Sequence, residues 1–591
     1  MNNKKIYIKS IILSLLILVS SLAITSVGYN KGLFLSYFTD IRVAIYNFIP
    51  IYLIMIFLAF VFRSLRTSFL ITSLIVNIGS YVNYIKIIYR EEPFLAKDLK
   101  LFNEAFAMSK KYSLNFTSAN FIIFVIAIII TIIIFRKMKK DEIYYIHPLI
   151  NVIVSAGLLL VFVFGLMFNY DSYHAIGAKS GLSMWSQVEG YQSKGFVYPF
   201  IYSIKYSREY KYSNYNEKIA KKIYDSYEYK NIPEDKKVNI IGIMMESFKD
   251  FSVYQSDSLV FQKDPYEYFH KLENESLHGN ILVNTFGGGT FVTESNFLSG
   301  YKDCPSFDRP TITYPRYFKE QGYETYAFHP NVGSFYNRQN VYPNMGFDKF
   351  FEYNNTFKKM NENLLSDNDF FNFILDKYNA SDKKDFYFAV TYQNHGPYSK
   401  DDITPDETYI KWNDKYSKEW YNYFNHYLNG ISFTSQSLQI LTDNLRYSEK
   451  PTILVLFGDH CPSMGDNKIC FDMFNVNYDG QTTEGIKNLY STPYIVWANE
   501  SAKKMLGKDF VGQGKDLEPA FLMNEILNYA GIEGNQYNQF LTTFTQKFTA
   551  IKEHWFGVNG EYKQQLNDEE KKELDEYKDV EYYTSHLLEN Q

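Results

Sequence analysis

The sequence predicts a membrane protein in two parts: a bundle of five transmembrane helices, followed by an α/β domain with a central, mainly parallel sheet. Apolar residues are concentrated in the first third of the chain, and short apolar runs alternate with helical stretches in the rest. The mean hydropathy of −0.26 averages these two unlike parts. The predicted limits are 1–168 for the membrane domain, 169–235 for a connector, 236–560 for the α/β domain and 561–591 for a charged helix or tail.

Five uncharged segments are long enough to cross a bilayer, which takes about 20 residues. The third is the weakest, because Asn77 and Asn83 lie in it. A buried core helix is the alternative for any one segment, but five in succession favour a membrane domain. The predicted spans are Ser10–Gly28, Val43–Phe62, Thr67–Ile85, Ser113–Phe135 and Leu149–Phe168.

Basic residues indicate the orientation of these spans, because Lys and Arg are enriched in cytoplasmic loops. They precede the first span and join the second to the third and the fourth to the fifth. The loop after the third span is also basic, but the short joints favour a cytoplasmic N-terminus. Five spans then place everything after Phe168 outside. The basic residues of the joints are Lys4, Lys5, Arg63, Arg66, Arg136, Lys137, Lys139 and Lys140.

Overall composition excludes several classes of protein. The net charge of −5 gives no reason to expect nucleic-acid binding. Aromatic residues reach 18%, too many for a disordered chain. Three cysteines allow one internal disulfide at most, so the chain is not a disulfide scaffold.

Short apolar runs after residue 237 predict buried parallel strands. Helical stretches such as Tyr421–Asn444 separate them, which favours a sheet with helices on both faces. In open sheets of this kind, ligands bind beyond the carboxyl ends of the strands. The predicted strands are Val238–Met245, Glu324–Phe328, Phe386–Thr391, Thr452–Phe457 and Tyr494–Trp497.

Acidic and imidazole side chains stand at two of these strand ends. Glu246 follows the first strand, and a carboxylate there is costly unless it is paired or binds a metal. Asp459 and His460 follow a later strand, and such a pair suits a divalent cation. The ordinary alternatives are a helix-capping position for Glu246 and a simple turn for the pair.

A glycine-rich segment, Gly287-Gly-Gly289, precedes Thr290. Glycines let the backbone approach a ligand closely, and a helix starting there would hold an anion such as phosphate. Thr290 would then present its hydroxyl to that anion. A plain loop is the alternative for this segment taken alone.

Further polar side chains follow other predicted strands. Arg338 could bind a phosphate through two of its guanidinium nitrogens. For either histidine taken alone, a structural role is more common than a catalytic one. Taken together, the residues predict a metal-assisted site in which a hydroxyl nucleophile transfers a tetrahedral anion. These further side chains are His329, Tyr336, Arg338 and His395.

The motifs, in their order along the chain, resemble those of the lipoteichoic acid synthase family. These are membrane phosphoglycerol transferases with a sulfatase-like ectodomain of the alkaline phosphatase superfamily. The resemblance covers nearly the whole chain. Its motifs are Met245-Glu-Ser-Phe248, Gly287-Gly-Gly-Thr290, His329 with Tyr336-Asn-Arg338, Asn394-His-Gly-Pro397 and Gly458-Asp-His460.

The resemblance implies a role for each of these positions. Glu246, Asp459, His460 and Thr290 would bind one divalent metal, typically Mn²⁺, although the donor set would also accept zinc or magnesium. Thr290 would be the covalent nucleophile. The glycerol-phosphate pocket would be lined by His329, Tyr336, Arg338 and His395.

Tyr336 departs from the family, which has tryptophan at this position, so the resemblance implies that an aromatic wall of the pocket is kept. The implied donor is phosphatidylglycerol, and diacylglycerol would leave. The implied acceptor is a glycolipid anchor, a polyglycerol phosphate chain or another surface glycan. The implied location is the cell membrane of a Gram-positive bacterium, with the catalytic domain outside. The oligomeric state is not readable from the sequence.

Three rival functions remain open at this point. A sulfatase of the formylglycine type needs Cys/Ser-x-Pro-x-Arg, and the nearest string, Cys304-Pro-Ser-Phe-Asp-Arg309, misplaces the proline. A phosphoethanolamine transferase shares the five-span plan and a threonine nucleophile, but usually carries several disulfides. A receptor that has lost catalysis would not need the metal ligands, and all four are present.

Overall fold

A computed structural model describes residues 3–28, 32–90, 93–101, 116–139, 148–178, 187–206, 214–361, 363, 365–465, 468–552 and 555–590. The chain forms two compact units, Met1–Tyr210 with Ser334–Asn337, and Lys211–Gly333 with Arg338–Gln591. The unit boundary therefore falls inside the predicted connector, and the four predicted domain limits stay predictions. The beginning of the fourth predicted span, 113–115, and the basic residue Lys140 lie outside the described residues.

Within its described residues, the first unit contains five helices that are long and apolar enough to cross a membrane, which confirms the five-helix prediction. The last of them, α6, continues into a π-helical turn at Val163–Met167. Single 3₁₀ turns occur at Ala96–Leu101 and Ile204–Tyr206. The α-helices of this unit are α1 Asn3–Ser26, α2 Leu33–Ser36, α3 Ile41–Phe62, α4 Leu65–Arg90, α5 Ala119–Lys137, α6 Pro148–Phe162, α7 Tyr170–Ala175, α8 Gln187–Gln192 and α9 Val197–Ser203.

A polar seam explains how α4 tolerates Asn77. Ser20 on α1 donates a hydrogen bond to Asn77 Oδ1 at 2.7 Å, and Asn77 Nδ2 donates to Ser73 Oγ at 3.0 Å. Ser73 in turn contacts Thr131 of α5 at 2.7 Å. Asn77 is buried, and its two polar atoms are satisfied by Ser20 of α1 and by Ser73 of its own helix. The span that looked weakest in the sequence thus has its polar side against two other helices.

The second unit is built on an eight-stranded sheet in the order β4-β3-β5-β1-β6-β7-β2-β8. Pairing is parallel from β4 through β6, while β7 is antiparallel to both β6 and β2. A second, three-stranded sheet has the order β11-β10-β9. The strands are β1 Asn239–Met245, β2 Leu277–Leu282, β3 Glu324–His329, β4 Lys349–Glu352, β5 Asp385–Val390, β6 Thr452–Gly458, β7 Ser491–Ala498, β8 Gly512–Gln513, β9 Phe548–Ile551, β10 Phe556–Val558 and β11 Glu561–Lys563.

Two apolar cores lie on the opposite faces of the large sheet, because alternate residues of each central strand point to opposite sides. On β1, Ile240 and Met244 belong to one core, and Ile241 and Ile243 belong to the other. The helices that cover the sheet are α10 Glu217–Tyr224, α11 Glu267–Glu273, α12 Thr290–Ser299, α13 Tyr314–Glu320, α14 Arg338–Met345, α15 Asp367–Ala380, α16 Lys418–Arg446, α17 Ile469–Phe474, α18 Thr483–Tyr490, α19 Glu500–Leu506, α20 Pro519–Tyr529, α21 Gln536–Phe544 and α22 Asp568–Ser585.

The five predicted strands all form, as β1, β3, β5, β6 and β7. Strand β2 and the two edge strands, β4 and β8, were not predicted. β2 has the sequence Leu-His-Gly-Asn-Ile-Leu, which lacks the continuous apolar run of a strand buried on both faces. A sheet with this order and pairing is mainly parallel, as the sequence predicts.

The charged C-terminal segment forms α22, which was expected as a solvated helix or tail. Leu574, Tyr577 and Val580 are buried in the apolar core on its inner side. Glu581 of the same helix accepts hydrogen bonds from the backbone N–H of Lys302 at 2.5 Å and the hydroxyl of Tyr577 at 2.7 Å. The helix is therefore an integral part of the second unit, and only its outer side is solvated.

Candidate active site

The register of β1 and β6 brings the predicted acidic residues together. Met245 at the end of β1 is paired with Gly458 at the end of β6, so Glu246 and Asp459 leave the sheet side by side. Ligand atoms of Glu246, Asp459 and His460 all lie within 4.8 Å of one another, and the three residues are buried. Parallel pairing thus assembles residues more than 200 positions apart into one cluster.

The Asp459 carboxylate divides its two oxygens between the backbone and the cluster. Oδ1 accepts hydrogen bonds from the N–H of Ser247 at 2.7 Å and of His460 at 2.8 Å. Oδ2 is buried and accepts no hydrogen bond from the residues that the structure describes. A buried carboxylate oxygen without a donor is costly, unless a cation lies beside it.

The imidazole of His460 is oriented for ligation. Its Nδ1 lies 3.1 Å from the carbonyl oxygen of Cys461, and a carbonyl can only accept, so Nδ1 carries the proton. In the neutral ring, Nε2 then presents a lone pair, 3.1 Å from Asp459 Oδ2 and 3.9 Å from Glu246 Oε1. Three electron-rich atoms that face one another are what a divalent cation requires, and a hydrogen bond to the far nitrogen is typical of metal-binding histidines.

Glu246 is held in place by two neighbours. The Ser247 hydroxyl donates to its Oε1 at 2.8 Å, and its own N–H donates to Thr391 Oγ1 at 2.9 Å. Burial, reinforced by the adjacent Asp459 carboxylate, raises the pKa of Glu246 to about 8. Burial is the main cause of this rise, because a charged carboxylate loses its hydration in the interior, and the nearby charge of Asp459 adds to it.

Thr290 is the first residue of α12, directly after the glycine-rich turn. Gly287 and Gly289 both have positive φ, 69° and 86°. A Cβ on Gly289 would lie 2.8 Å from the side chain of Thr285, so the turn has no room for a larger residue there. This turn brings Thr290 Oγ1 to 3.3 Å from His460 Nε2, within hydrogen-bond distance of the cluster.

His329 is the last residue of β3, in the same sheet as β1 and β6, and its side chain is buried. Its Nδ1 lies 3.0 Å from the carbonyl oxygen of Val390, which again places the proton on Nδ1. Burial and the positive charge of Arg338 lower the pKa of His329 well below its usual range. The ring is therefore neutral, and its Nε2 is a hydrogen-bond acceptor.

Arg338 is fully buried and forms an ion pair that the sequence analysis did not anticipate. Its Nε and Nη2 donate to Glu294 Oε2 at 3.0 and 2.7 Å, and the Tyr342 hydroxyl donates to Glu294 Oε1 at 2.6 Å. Glu294 lies one helical turn after Thr290 on α12. The signal in the sequence was a carboxylate four residues after the predicted nucleophile, but its partner lies 44 positions away.

The remaining two predicted pocket residues lie in less buried places. His395 is exposed, and its ring stacks on Tyr392 with centroids 4.6 Å apart. Tyr336 belongs to the short segment Ser334–Asn337, where its φ is 57° and its ring contacts Phe335. The second unit thus contains seven of the eight predicted site residues. Their assigned roles stay predictions.

Comparison with known proteins identifies the family. The model of the family described as Sulfatase matches residues 238–582, more than half of the chain. The chain therefore belongs to the sulfatase family. This match, together with the mainly parallel sheet described above, confirms the predicted sulfatase-like fold.

Two curated relatives have similar sequences. The chain is 29% identical over 378 residues to a putative cyclic beta-1,2-glucan modification protein of Rhizobium meliloti, which covers 61% of this chain and 56% of that protein. It is 25% identical over 339 residues to a lipoteichoic acid synthase of Staphylococcus saprophyticus, covering 53% and 48%. The matches thus span about half the length of these relatives. They confirm the resemblance to the lipoteichoic acid synthase family.

A solved structure has the same fold. The phosphoglycerol transferase GacH of Streptococcus pyogenes, in complex with sn-glycerol-1-phosphate, superposes with a TM-score of 0.51 at 22% sequence identity. The superposition covers 64% of this chain and 97% of that one. At this level of identity the likeness concerns the fold.

Proposed function

We propose that the protein transfers glycerol phosphate from phosphatidylglycerol to a hydroxyl of a cell-surface polymer and releases diacylglycerol. The observation that carries the proposal is the Thr290 hydroxyl, 3.3 Å from His460 Nε2 at the edge of the buried acidic cluster. The names of two similar proteins, a lipoteichoic acid synthase and a phosphoglycerol transferase, support the choice of transferred group. Five membrane-spanning helices suit a lipid donor.

A divalent cation, for which we propose Mn²⁺, fits the site. Glu246, Asp459, His460 and Thr290 would hold it. The buried Asp459 Oδ2 and the lone pair on His460 Nε2 support this assignment. When bound, such a cation would lower the pKa of the threonine hydroxyl and neutralise charge on phosphoryl oxygens.

The proposed reaction has two half-reactions. Thr290 Oγ1 attacks the phosphorus of the donor, the bond from phosphorus to the diacylglycerol oxygen breaks, and that oxygen takes up a proton. In the second half, an acceptor hydroxyl attacks the same phosphorus, the bond to Thr290 breaks, and the threonine hydroxyl is restored. A covalent glycerophospho-threonine between the two steps predicts ping-pong kinetics.

The neighbouring side chains suit the headgroup of this donor. The neutral His329 can accept a hydrogen bond from a glycerol hydroxyl, and Arg338 places a fixed positive charge near the phosphate. His395 completes the proposed pocket within the second unit, and the role of Tyr336 stays a prediction from the sequence. In this arrangement Glu294 shares the charge of Arg338, so the phosphate would be bound chiefly by the cation.

Two rival activities have less support. Thr290 occupies the nucleophile position, whereas a formylglycine sulfatase requires cysteine or serine. The three cysteines are free thiols, so the disulfides common in phosphoethanolamine transferases are not formed among them. For the topology, we propose a cytoplasmic N-terminus and a second unit outside the membrane, on the distribution of basic residues.

The test measures diacylglycerol release from labelled phosphatidylglycerol by the full-length protein in detergent. We expect release that is lost on chelation with EDTA and restored by Mn²⁺. Thr290→Ala should reduce it at least 1,000-fold, because the nucleophile is absent, without lowering the melting temperature. Thr543→Ala, an exposed threonine on α21, is the matched control and should leave the rate unchanged.

The alternatives give distinct results in the same assay. Turnover retained in Thr290→Ala would exclude Thr290 as the nucleophile. Cleavage of phosphatidylethanolamine or of a sulfate ester, with no release from phosphatidylglycerol, would leave the site intact and overturn the proposed donor.

A further inference from the structure

A cavity of about 500 Å³ lies in the second unit, at the loop before α16 and the first turn of that helix. None of the predicted site residues lines it. Its walls combine two aromatic rings with several side chains that can hydrogen-bond. The residues that matter for its chemistry are Trp412, Tyr421, Asp402, Asn422, Gln262 and Lys418.

The aromatic rings form a corner with available faces. Trp412 and Tyr421 are nearly perpendicular, at 84°, with centroids 5.1 Å apart. The polar atoms of both are satisfied, since Trp412 Nε1 donates to Asp414 Oδ1 and Tyr421 Oη donates to the carbonyl oxygen of Ile410, both at 3.0 Å. Trp412 is nonetheless 44% exposed, which is high for so large an apolar ring.

The polar wall of the cavity has balanced charge. Lys418 Nζ lies 2.6 Å from Asp402 Oδ1, and Asn422 Nδ2 donates to the same oxygen at 3.2 Å. The ammonium is therefore neutralised by a carboxylate that also faces the cavity. Such a wall offers hydrogen-bond donors and acceptors to hydroxyl groups. Because its two charges cancel, it has no net electrostatic attraction for a chain of phosphates.

Helix α16, whose first turn lines the cavity, also contacts the active site further along its length. Tyr427 follows Asn422 by five residues, a rise of about 7.5 Å along the helix. Its hydroxyl donates to the carbonyl oxygen of Ser247 at 3.0 Å, and Ser247 adjoins Glu246 in the acidic cluster. A polymer whose end reaches Thr290 could thus have a later unit in the cavity.

We propose that this cavity is an acceptor subsite that binds a neutral sugar unit of a glycan, with the apolar face of the sugar ring against Trp412. The sugar hydroxyls would bond to Asp402 and Asn422. The inference rests on the proposed function and names its acceptor class. The glucan-modifying function in the name of one similar protein agrees with a glycan acceptor.

Binding can be measured without catalysis. We expect the full-length protein in detergent to bind a neutral glycan, with cyclic β-1,2-glucan and linear glucan oligosaccharides as probes in calorimetry. Trp412→Ala should weaken binding at least tenfold. Tyr447→Ala removes an 85% exposed aromatic at the other end of α16 and should bind as the wild type does. Equal binding by Trp412→Ala and wild type, or binding of polyglycerol phosphate in place of every neutral glycan, would overturn the subsite.

A second readout separates this proposal from the proposed function. Trp412→Ala should raise the KM for the glycan acceptor at least tenfold and leave the rate of diacylglycerol release in the absence of acceptor unchanged. If neither wild type nor variant releases diacylglycerol, the proposed donor is wrong, while the calorimetry still decides the subsite. A loss of donor release in Trp412→Ala alone would instead assign Trp412 to the first half-reaction and overturn the acceptor subsite.

Discussion

The ion pair between Glu294 and Arg338 lies one helical turn from Thr290 and is almost completely excluded from solvent, at 0% and 1% side-chain exposure. Ion pairs of this kind gain little net stability, because both charges lose their hydration. Loss of one partner is a different matter, since the other charge then remains buried alone. At this site the pair fixes α12, with Thr290 at its start, against α14.

Glu294→Gln is the residue-scale prediction. We expect it to lower the free energy of unfolding by about 3 kcal/mol, because Arg338 would keep its buried charge without a counter-ion. Denaturant unfolding of the full-length protein in detergent measures the loss. Glu267→Gln is the matched control, since Glu267 is 70% exposed in its pair with Lys271, and it should change stability by less than about 1 kcal/mol. A loss for Glu294→Gln as small as that of the control would contradict the prediction.

The sequence predicted the acidic cluster but not this ion pair, for a physical reason. Glu246, Asp459 and His460 follow apolar strands, and parallel strands must end at a common edge, so local pattern and topology suffice. Glu294 and Arg338 meet only through the packing of two helices. Nothing in either local sequence specifies that packing.

Among the elements, α4 shows most clearly that contacts with neighbouring helices allow a helix with polar residues to span a membrane. Its asparagines made it the weakest predicted span, and it has the lowest mean hydropathy of the five candidate helices in the described chain. The polar side faces α1 and α5, where hydroxyl and amide groups satisfy one another. Hydropathy summed along a helix cannot show this, because it does not record which side is polar.

Asn77→Leu tests the polar seam. We expect a loss of about 1 kcal/mol, because Ser20 and Ser73 lose their hydrogen bonds to Asn77 inside the membrane bundle. Thermal unfolding of the full-length protein in detergent would show a lower melting temperature. Ile75→Leu, on the 63% exposed side of α4, should have no effect. A melting temperature for Asn77→Leu at or above that of the wild type would show that the seam does not stabilise the bundle.

The strands of the large sheet also differ in how well their own sequences predict them. Central strands buried on both faces are continuous apolar runs and were all predicted, whereas β2, β4 and β8 were not. β4 is four residues long, and β8 is two. Short edge strands take their conformation from the neighbour they pair with, so the sheet must exist before they can be recognised.

At the scale of the whole molecule, α22 packs against the rest of the second unit and contacts the segment that follows α12 at Lys302. Glu581 is the buried contact, and burial, together with the nearby Asp303, raises its pKa to about 7. In the unfolded chain a glutamate titrates near 4.5. The folded state therefore binds the Glu581 proton more tightly than the unfolded chain does. The contribution of this proton to the free energy of unfolding is fully present below pH 4.5 and is lost as pH rises through about 7.

The prediction from Glu581 concerns stability as a function of pH. The melting temperature of the wild type should fall relative to that of Glu581→Gln between about pH 5 and pH 8, because only the wild type acquires a buried charge in that range. Glu569→Gln, at an exposed position of the same helix, should track the wild type throughout. A constant difference between wild type and Glu581→Gln across the range would contradict the assignment.

The polar side of α4 has a further consequence for biogenesis. A helix with Asn77 and Asn83 partitions into lipid less readily than its neighbours do. Only Arg63 and Ser64 separate α4 from α3, whose composition is far more apolar. The two helices are therefore expected to insert into the membrane together as a hairpin, with the more apolar α3 providing most of the favourable insertion free energy. Mutations that make α3 more polar would then appear as failures to insert α4, some distance along the chain from the altered residue.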